Sequence, residues 1–594
     1  MKKQVFSNFA LLGFALVALA CSPTAEAPSS ETSKSDGADL ILTNAKVYTF
    51  SWGDPAADGT PAADAPFNEG VWTPDAEALA VRDGRVVLAG TAAEAEALRG
   101  EATEVIDLQG AVVLPGMVDS HTHVIGLGAK VERVDLLDVP TEEEAVERAA
   151  ARAAETPAGE WVDGWGWDEG AWATRYPTME LISEKVPDHP VVLRSLHGFA
   201  VWGNRLAFEK AGIDRDTEAP VGGEILKDAN GEPTGVLLNR ATTLLTGAVP
   251  EVTGEGLQRR ALAGLEEMAR SGYVAVHEAG LDTSLLGAFE ALNDAGRLPV
   301  RVYAMLSARD EALCRKWLEN GPETVWSGQL IRRSVKAYYD GALGSRGARL
   351  LDDYSDTPGH RGVSGEGYGF DQELVADMIR GGFQVGIHAI GDAGNRETLD
   401  FLSEVLAEDP SYKDWRHRIE HAQVVHPDDF ARFGEMGLVA SMQPPHAVED
   451  KTWAEERLGP DRVRGAYAWR TLLQSGARVV FNSDLAGSDH DLFYGLHAAM
   501  TRRGKDQLPE GGWYPGEALT PEEAIRAYSV WAAYASFDEK ETGVLAEGFR
   551  ADVTVLDIDP LNMADPGAIL DGQVLLTMVG GNVVHNRVGN REGL

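Results

Sequence analysis

In the segment VVLPGMVDSHTH two histidines stand two positions apart, at 121 and 123. Alternate side chains of an extended strand share a face, so His121 and His123 can present two imidazoles to one metal ion. A His-x-His pair alone is more often a surface or core feature than a metal site. Three further residues change that balance. His388 in QVGIHAIGD, His421 in RIEHAQ and Asp484 in VVFNSD each follow a short apolar run and precede small or turn-forming residues. Imidazole and carboxylate are ligands that suit zinc and also tolerate manganese, cobalt or iron. Water on such an ion loses a proton near pH 7, and a carboxylate within hydrogen-bond reach can take that proton and return it. The chemistry to expect is hydrolysis, with Asp484 as both ligand and acid-base group.

Other positions are candidates for contact with a small-molecule substrate. His446 in SMQPPHAVED follows the seventh candidate strand, and Arg346, in the loop after the fourth, could meet an anionic group. His277 ends the second candidate strand, and His197 lies in RSLHGFAVWGN; either is equally well explained as a structural residue. Trp161, Trp165, Trp167, Trp172 and Trp202 concentrate in one stretch. Such clusters are usually core, but a lid over an active site would also use an aromatic wall, with Trp167 as its candidate contact. Lys336 in RSVKAYYDGALGSRG closes the fourth candidate strand, where chemistry alone reads it as a solvated or ion-paired lysine.

These residues need a scaffold that gathers strand ends. The centre of the chain alternates short apolar strands with helical stretches, the pattern of βαβ units and a parallel sheet. Candidate strands end at His121, His277, Leu306, Lys336, His388, His421, Gln443 and Asp484, eight in all, enough to close a (β/α)8 barrel whose C-terminal mouth carries the site. The predicted barrel spans 116–540, with a subdomain inserted after the first strand over about 124–262 that absorbs the extra apolar run 190–196. Thr520-Pro521-Glu522-Glu523 is a capping box that starts the last long helix, predicted to run through Tyr534. Short alternating segments at 40–50, 78–89 and 103–114, with more at 551–557 and 574–585, predict small antiparallel strands. They compose a β-sandwich split between residues 40–115 and 541–594.

The 594 residues carry 53 Lys plus Arg against 93 Asp plus Glu, a formal charge of −40 that repels phosphate backbones, so nucleic acid is excluded as a partner. Lys2 and Lys3 precede an apolar run over 9–20, too short to span a bilayer and suited to an export signal. Ala18-Leu19-Ala20-Cys21 resembles a lipoprotein processing site, which predicts a signal peptide over 1–21 and a lipid on Cys21 as the sole membrane attachment. The expected location is then the periplasmic side or the outer membrane; soluble periplasmic or secreted protein is the alternative. Residues 22–39, SPTAEAPSSETSKSDGAD, have too little apolar surface to fold and read as a tether. With Cys21 lipidated, Cys314 has no partner, so no disulfide is expected. Self-association is left open.

Taken in order, ADLILTNAKVYTF, PGMVDSHTH, GYVAVHEAG, VKAYYDGALGSR, HAIGDAGN, RIEHAQ, NSD and GVLAEGFRADVTVLD resemble the amidohydrolase superfamily, in particular its branch with N-substituted formamide deformylases. The likeness covers nearly the whole mature chain. It implies that His121, His123, Lys336, His388, His421 and Asp484 hold two divalent metal ions, zinc being the expected pair, and that Lys336 is carboxylated by CO2 to a bridging carbamate. It also implies hydrolysis of a non-peptide carbon–nitrogen bond in an amide, formamide or cyclic amide. At His197 the family's pattern continues Gly-His, where this chain has Phe199. The alternatives are a mononuclear metal deaminase on the same barrel, against which Lys336 argues, and a non-catalytic surface lipoprotein that binds small ligands.

Overall fold

The structure, a computed structural model, describes residues 37–168, 172 and 176–589. The expected signal and Cys21 lie outside the described residues. The tether read to residue 39 ends earlier, because Ala38 and Asp39 already belong to the strand Ala38–Thr43.

Eight parallel strands form a nearly closed barrel: β1 Met117–Thr122, β2 Tyr273–Leu281, β3 Arg301–Ser307, β4 Leu330–Tyr338, β5 Gln384–Ala389, β6 Arg418–His421, β7 Val439–Met442 and β8 Arg478–Phe481. Every residue of β1, β3, β6 and β7 is buried, as expected of strands covered on both faces. The seam between β8 and β1 closes just beyond the strand ends, where Asp484 N–H donates to His121 C=O (3.1 Å) and His123 N–H to Leu485 C=O (2.9 Å). The register sets Lys336 beside Gly386 and His388 beside Glu420.

Several expectations shift. β2 continues four residues past His277, which therefore sits inside the strand. β8 stops at Phe481, so Asp484 lies on the loop that follows. The capping box forms, with Glu523 N–H donating to Thr520 Oγ1 (3.3 Å) and Thr520 N–H to Glu523 Oε2 (2.8 Å). The predicted long helix is broken, however, into Pro521–Tyr528 and Val530–Ala535. At the break the Ser529 hydroxyl bonds back to Ile525 C=O (2.7 Å), a local contact that bends helices.

After β1 the chain makes the helix Val124–Glu132 and then a six-stranded sheet from Val134–Asp135 to Pro233–Asn239, its first three strands parallel and the rest antiparallel. The run 190–196 supplies its third strand, Val191–Ser195. The boundary read at 262 falls inside a helix, Glu255–Arg270. That helix packs backbone against backbone on Val124–Glu132: a Cβ added at Gly128 would lie 1.8 Å from Arg260 O, and one at Gly264 would lie 2.1 Å from Val124 O. Glycine at these two crossings is what lets the two helices flanking the inserted sheet pack this closely.

Both ends of the described chain build two further sheets. One joins Arg85–Gly90, Ala78–Arg82, Ala38–Thr43 and Arg99–Asp107; the other joins Lys46–Val47, Val112–Pro115, Val553–Leu556, Val574–Val579 and Asn582–Asn586. They are not purely antiparallel, since Ala38–Thr43 runs parallel to Arg99–Asp107. A fully buried ion pair, Arg301 with Asp552 (3.0 Å to Oδ1), ties the second sheet to the foot of β3. Cys314, the one cysteine among the described residues, is a buried thiol that burial pushes up to about 12.

Candidate metal centre

At the C-terminal mouth of the barrel the side chains from β1, β4, β5, β6 and the loops after β7 and β8 converge on Asp484. Its Oδ1 lies 3.7 Å from His121 Nε2 and 3.4 Å from His123 Nε2; its Oδ2 lies 3.9 Å from His421 Nδ1 and 4.0 Å from His446 Nε2. Ligand atoms of His121, His123 and Asp484 all fall within 4.8 Å of one another, and so do those of His421, His446 and Asp484. The His388 ring packs 4.4 Å from that of His421, and Lys336 Nζ is 2.9 Å from His121 Nε2. His421 and Asp484 have φ of +75° and +54°. Non-glycine residues hold this left-handed backbone at a cost of roughly 1–3 kcal/mol each, and such residues cluster where side chains must be aimed.

The electrostatics favour cation binding. Burial lowers His121 to about 4 and His388 to about 3, so both rings are neutral at physiological pH with lone pairs to give. Glu420 Oε2 takes the proton side of His121 at Nδ1 (2.6 Å), which leaves Nε2 as the donor atom facing Lys336 and Asp484. Asp484 is also buried, which opposes ionisation, yet the His123 hydrogen bond and the surrounding imidazoles hold its carboxyl well below the usual range. Burial drops Lys336 to about 8, and among the described residues no carboxylate forms an ion pair with it. His388 Nε2 is buried without a hydrogen-bond partner. A buried nitrogen left unpaired is costly unless something fills its lone pair. Neutral imidazoles, an ionised carboxylate and an orphaned ring nitrogen together fit a divalent cation.

A second set of buried acids holds these groups in place. Glu278 accepts from Thr122 Oγ1 (2.8 Å) and Val124 N–H (3.0 Å), fixing the chain on both sides of His123. Asp340 accepts from the N–H groups of Ile390 and Gly391, both at 2.9 Å, just beyond His388. Asp119 accepts from Ser483 Oγ (2.6 Å), next to Asp484. Burial raises all three to about 7. Arg418 bonds Glu420 Oε2 (3.1 Å), Ser441 Oγ (2.9 Å) and Ser120 C=O (2.5 Å) inside the barrel. Gln443 meets His421 Nδ1 at 3.0 Å and donates to Asn482 Oδ1 (2.7 Å). Sequence reasoning missed this set, although a signal existed. Asp119, Asp340 and Glu420 sit within four positions of a candidate ligand, and Asp and Glu are seldom fully buried unless paired.

The other candidates separate clearly. His446, on the helix Pro444–Asp450, joins the cluster, its ring parallel to that of His421 at 6.4 Å. His277 does not: it is buried in the barrel wall, its Nδ1 accepting from Arg418 Nη1 (2.8 Å). Arg346 is ion-paired with Asp356 (2.7 Å) in the loop after β4. His197 is exposed on the hairpin between Val191–Ser195 and Ala200–Gly203, beside Phe199, which is 66% exposed. Trp167 is wholly buried, stacked on Trp172 with centroids 5.6 Å apart, and gives its N–H to Leu193 C=O (2.9 Å). It belongs to the core of the inserted sheet, where packing and a satisfied indole leave nothing to offer a substrate.

Comparisons with known proteins point to one family. The amidohydrolase family model matches residues 104–585, from the strand Arg99–Asp107 through the whole barrel into the strand Asn582–Asn586. Amidohydrolase YtcJ of Bacillus subtilis (strain 168) is 33% identical over 526 residues, which cover 86% of this chain and 96% of the relative. N-substituted formamide deformylase of Arthrobacter pascens is 27% identical over 536 residues, or 87% and 96% of the two chains. The crystal structure of an uncharacterized metal-dependent hydrolase from Pyrococcus furiosus aligns with a TM-score of 0.66 at 27% identity, covering 88% of this chain and 100% of that one. With a barrel mouth of metal-ligand type and a match over most of its length, the chain belongs to the amidohydrolase family.

Proposed function

We propose that the protein hydrolyses a non-peptide carbon–nitrogen bond, in an amide, formamide or cyclic amide, at a binuclear centre held by His121, His123, Lys336, His388, His421 and Asp484. The observation that carries this reading is the convergence of imidazoles on one ionised carboxylate, beside a buried lysine that forms no ion pair among the described residues. Divalent ions bound there, zinc by preference, supply a water of lowered pKa and polarise the substrate carbonyl.

The chain's own groups do the rest. Lys336, desolvated to about 8, has an appreciable neutral amine fraction near neutral pH; that amine adds to CO2, loses a proton and becomes a carbamate with two oxygen donors. Asp484 takes a proton as water oxygen bonds to the carbonyl carbon. It gives that proton to the amine nitrogen as the carbon–nitrogen bond breaks, so a single carboxylate serves attack and departure. Glu420 keeps the His121 ring in one orientation throughout. His446, partly exposed at the mouth and 4.0 Å from Asp484, is placed to hydrogen-bond the substrate. Export and lipidation of Cys21 belong to the same proposal and rest on residues 1–21 alone.

Metal content per chain tests the centre. About two ions in the mature protein, with loss of at least one in Lys336→Ala, supports the bridged pair. One ion unaffected by the substitution favours the mononuclear deaminase, and none overturns the enzymatic reading.

A further inference from the structure

Arg309 lies two residues beyond β3 and is exposed at the barrel mouth. β3 and β4 pair there, with Ser307 opposite Lys336. The guanidinium carbon sits 3.9 Å above the ring of Tyr338, the last residue of β4, and 5.5 Å from the ring of Tyr368 on the turn Gly365–Tyr368. Lys336 Nζ is 5.1 Å from the same Tyr338 ring, so at most about 9 Å separates the guanidinium from the lysine nitrogen. A guanidinium stacked on an aromatic face is held in place while its N–H edge stays free to bind. Among the described residues no carboxylate forms an ion pair with Arg309, although the chain has 93 acidic against 53 basic residues. Arg346, in the loop after β4, is by contrast ion-paired with Asp356.

We propose that Arg309 is the anchor for an anionic substituent of the substrate, a carboxylate a few bonds from the scissile carbon–nitrogen bond, so that N-acyl or N-formyl amino acids are the substrate class. This rests on the hydrolase reading and adds the substrate's charge to it. The acyl carbon would sit at the cluster around Asp484 and Lys336, with the carboxylate held bidentately by the stacked fork. The protein's overall charge of −40 opposes the approach of an anion, so an unneutralised cation at this one rim is what would make an acidic substrate acceptable.

A matched pair of probes decides it: N-formylphenylalanine, and N-formyl-2-phenylethylamine, which lacks only the carboxylate. Binding of each to the metal-loaded protein is measured by calorimetry, with turnover followed beside it. Wild type is expected to bind the acid about 10–100-fold more tightly than the neutral probe. Arg309→Met is expected to bring that ratio close to 1, and Arg309→Lys to leave an intermediate value. Because Arg309 is exposed, thermal melting should find each variant folded. Equal affinities in wild type, including no detectable binding of either probe, overturn the proposal, as does a ratio that survives in Arg309→Met. Turnover of both probes without a ratio removes the Arg309 assignment and leaves the hydrolase standing. An Arg309-dependent ratio without turnover keeps the anchor and counts against carbon–nitrogen hydrolysis.

Discussion

The barrel mouth and the inserted sheet both hold dense groups of side chains that suggest function, yet they differ in how their polar atoms are satisfied. In the insertion, Trp167, Trp172 and Trp202 pack edge and face, and each indole N–H reaches a backbone carbonyl: Leu193, Val139 and Thr178 respectively. Nothing is left over. At the mouth, His388 Nε2 is buried without a hydrogen bond, Lys336 forms no ion pair among the described residues, and four histidines crowd one aspartate at 3.4–4.0 Å. The core of the inserted sheet has finished these indole hydrogen bonds, whereas a site that binds something keeps atoms open for it.

The contrast can be broken or sharpened by substitution. The largest effect is expected at Asp484: Asp484→Asn should cost about 10²–10⁴-fold in kcat on an N-acyl amine while Tm holds. A variant that kept wild-type turnover would place the acid-base group elsewhere. Trp167→Ala should instead lower stability by about 3–5 kcal/mol, seen as a drop in the denaturant midpoint. If it left stability intact and raised KM, the insertion would be a substrate wall after all. Glu420→Gln should have the smallest effect of the three. It should weaken metal affinity about 10–100-fold in a competition titration against a chelator, because His121 loses the carboxylate that orients it. Unchanged affinity would reduce Glu420 to a structural partner of Arg418.

The candidate ligands were legible because chemistry restricts metal binding to few residue types, each here placed directly after an apolar run, as at His121, His388 and His421. The failures share one cause. His277 and Trp167 looked available because sequence shows a residue's type and local position but not who its neighbours are. Arg418, 141 residues away, is what occupies the His277 nitrogen. The same blindness hid Arg309, whose two tyrosines are brought to it from β4 and from a loop 59 residues away.

By itself the sequence determined the alternation of strand and helix, the eight-strand count, the capped start at Thr520 and the residue types able to bind metal, all of which follow from local periodicity and side-chain chemistry. Only the tertiary structure decided which buried acid holds which candidate ligand and which histidines converge. Those outcomes depend on contacts between residues distant in the chain, such as Asp119 with Ser483, Glu420 with His121 and Asp340 with the turn after His388, and no local pattern encodes a distance across a barrel.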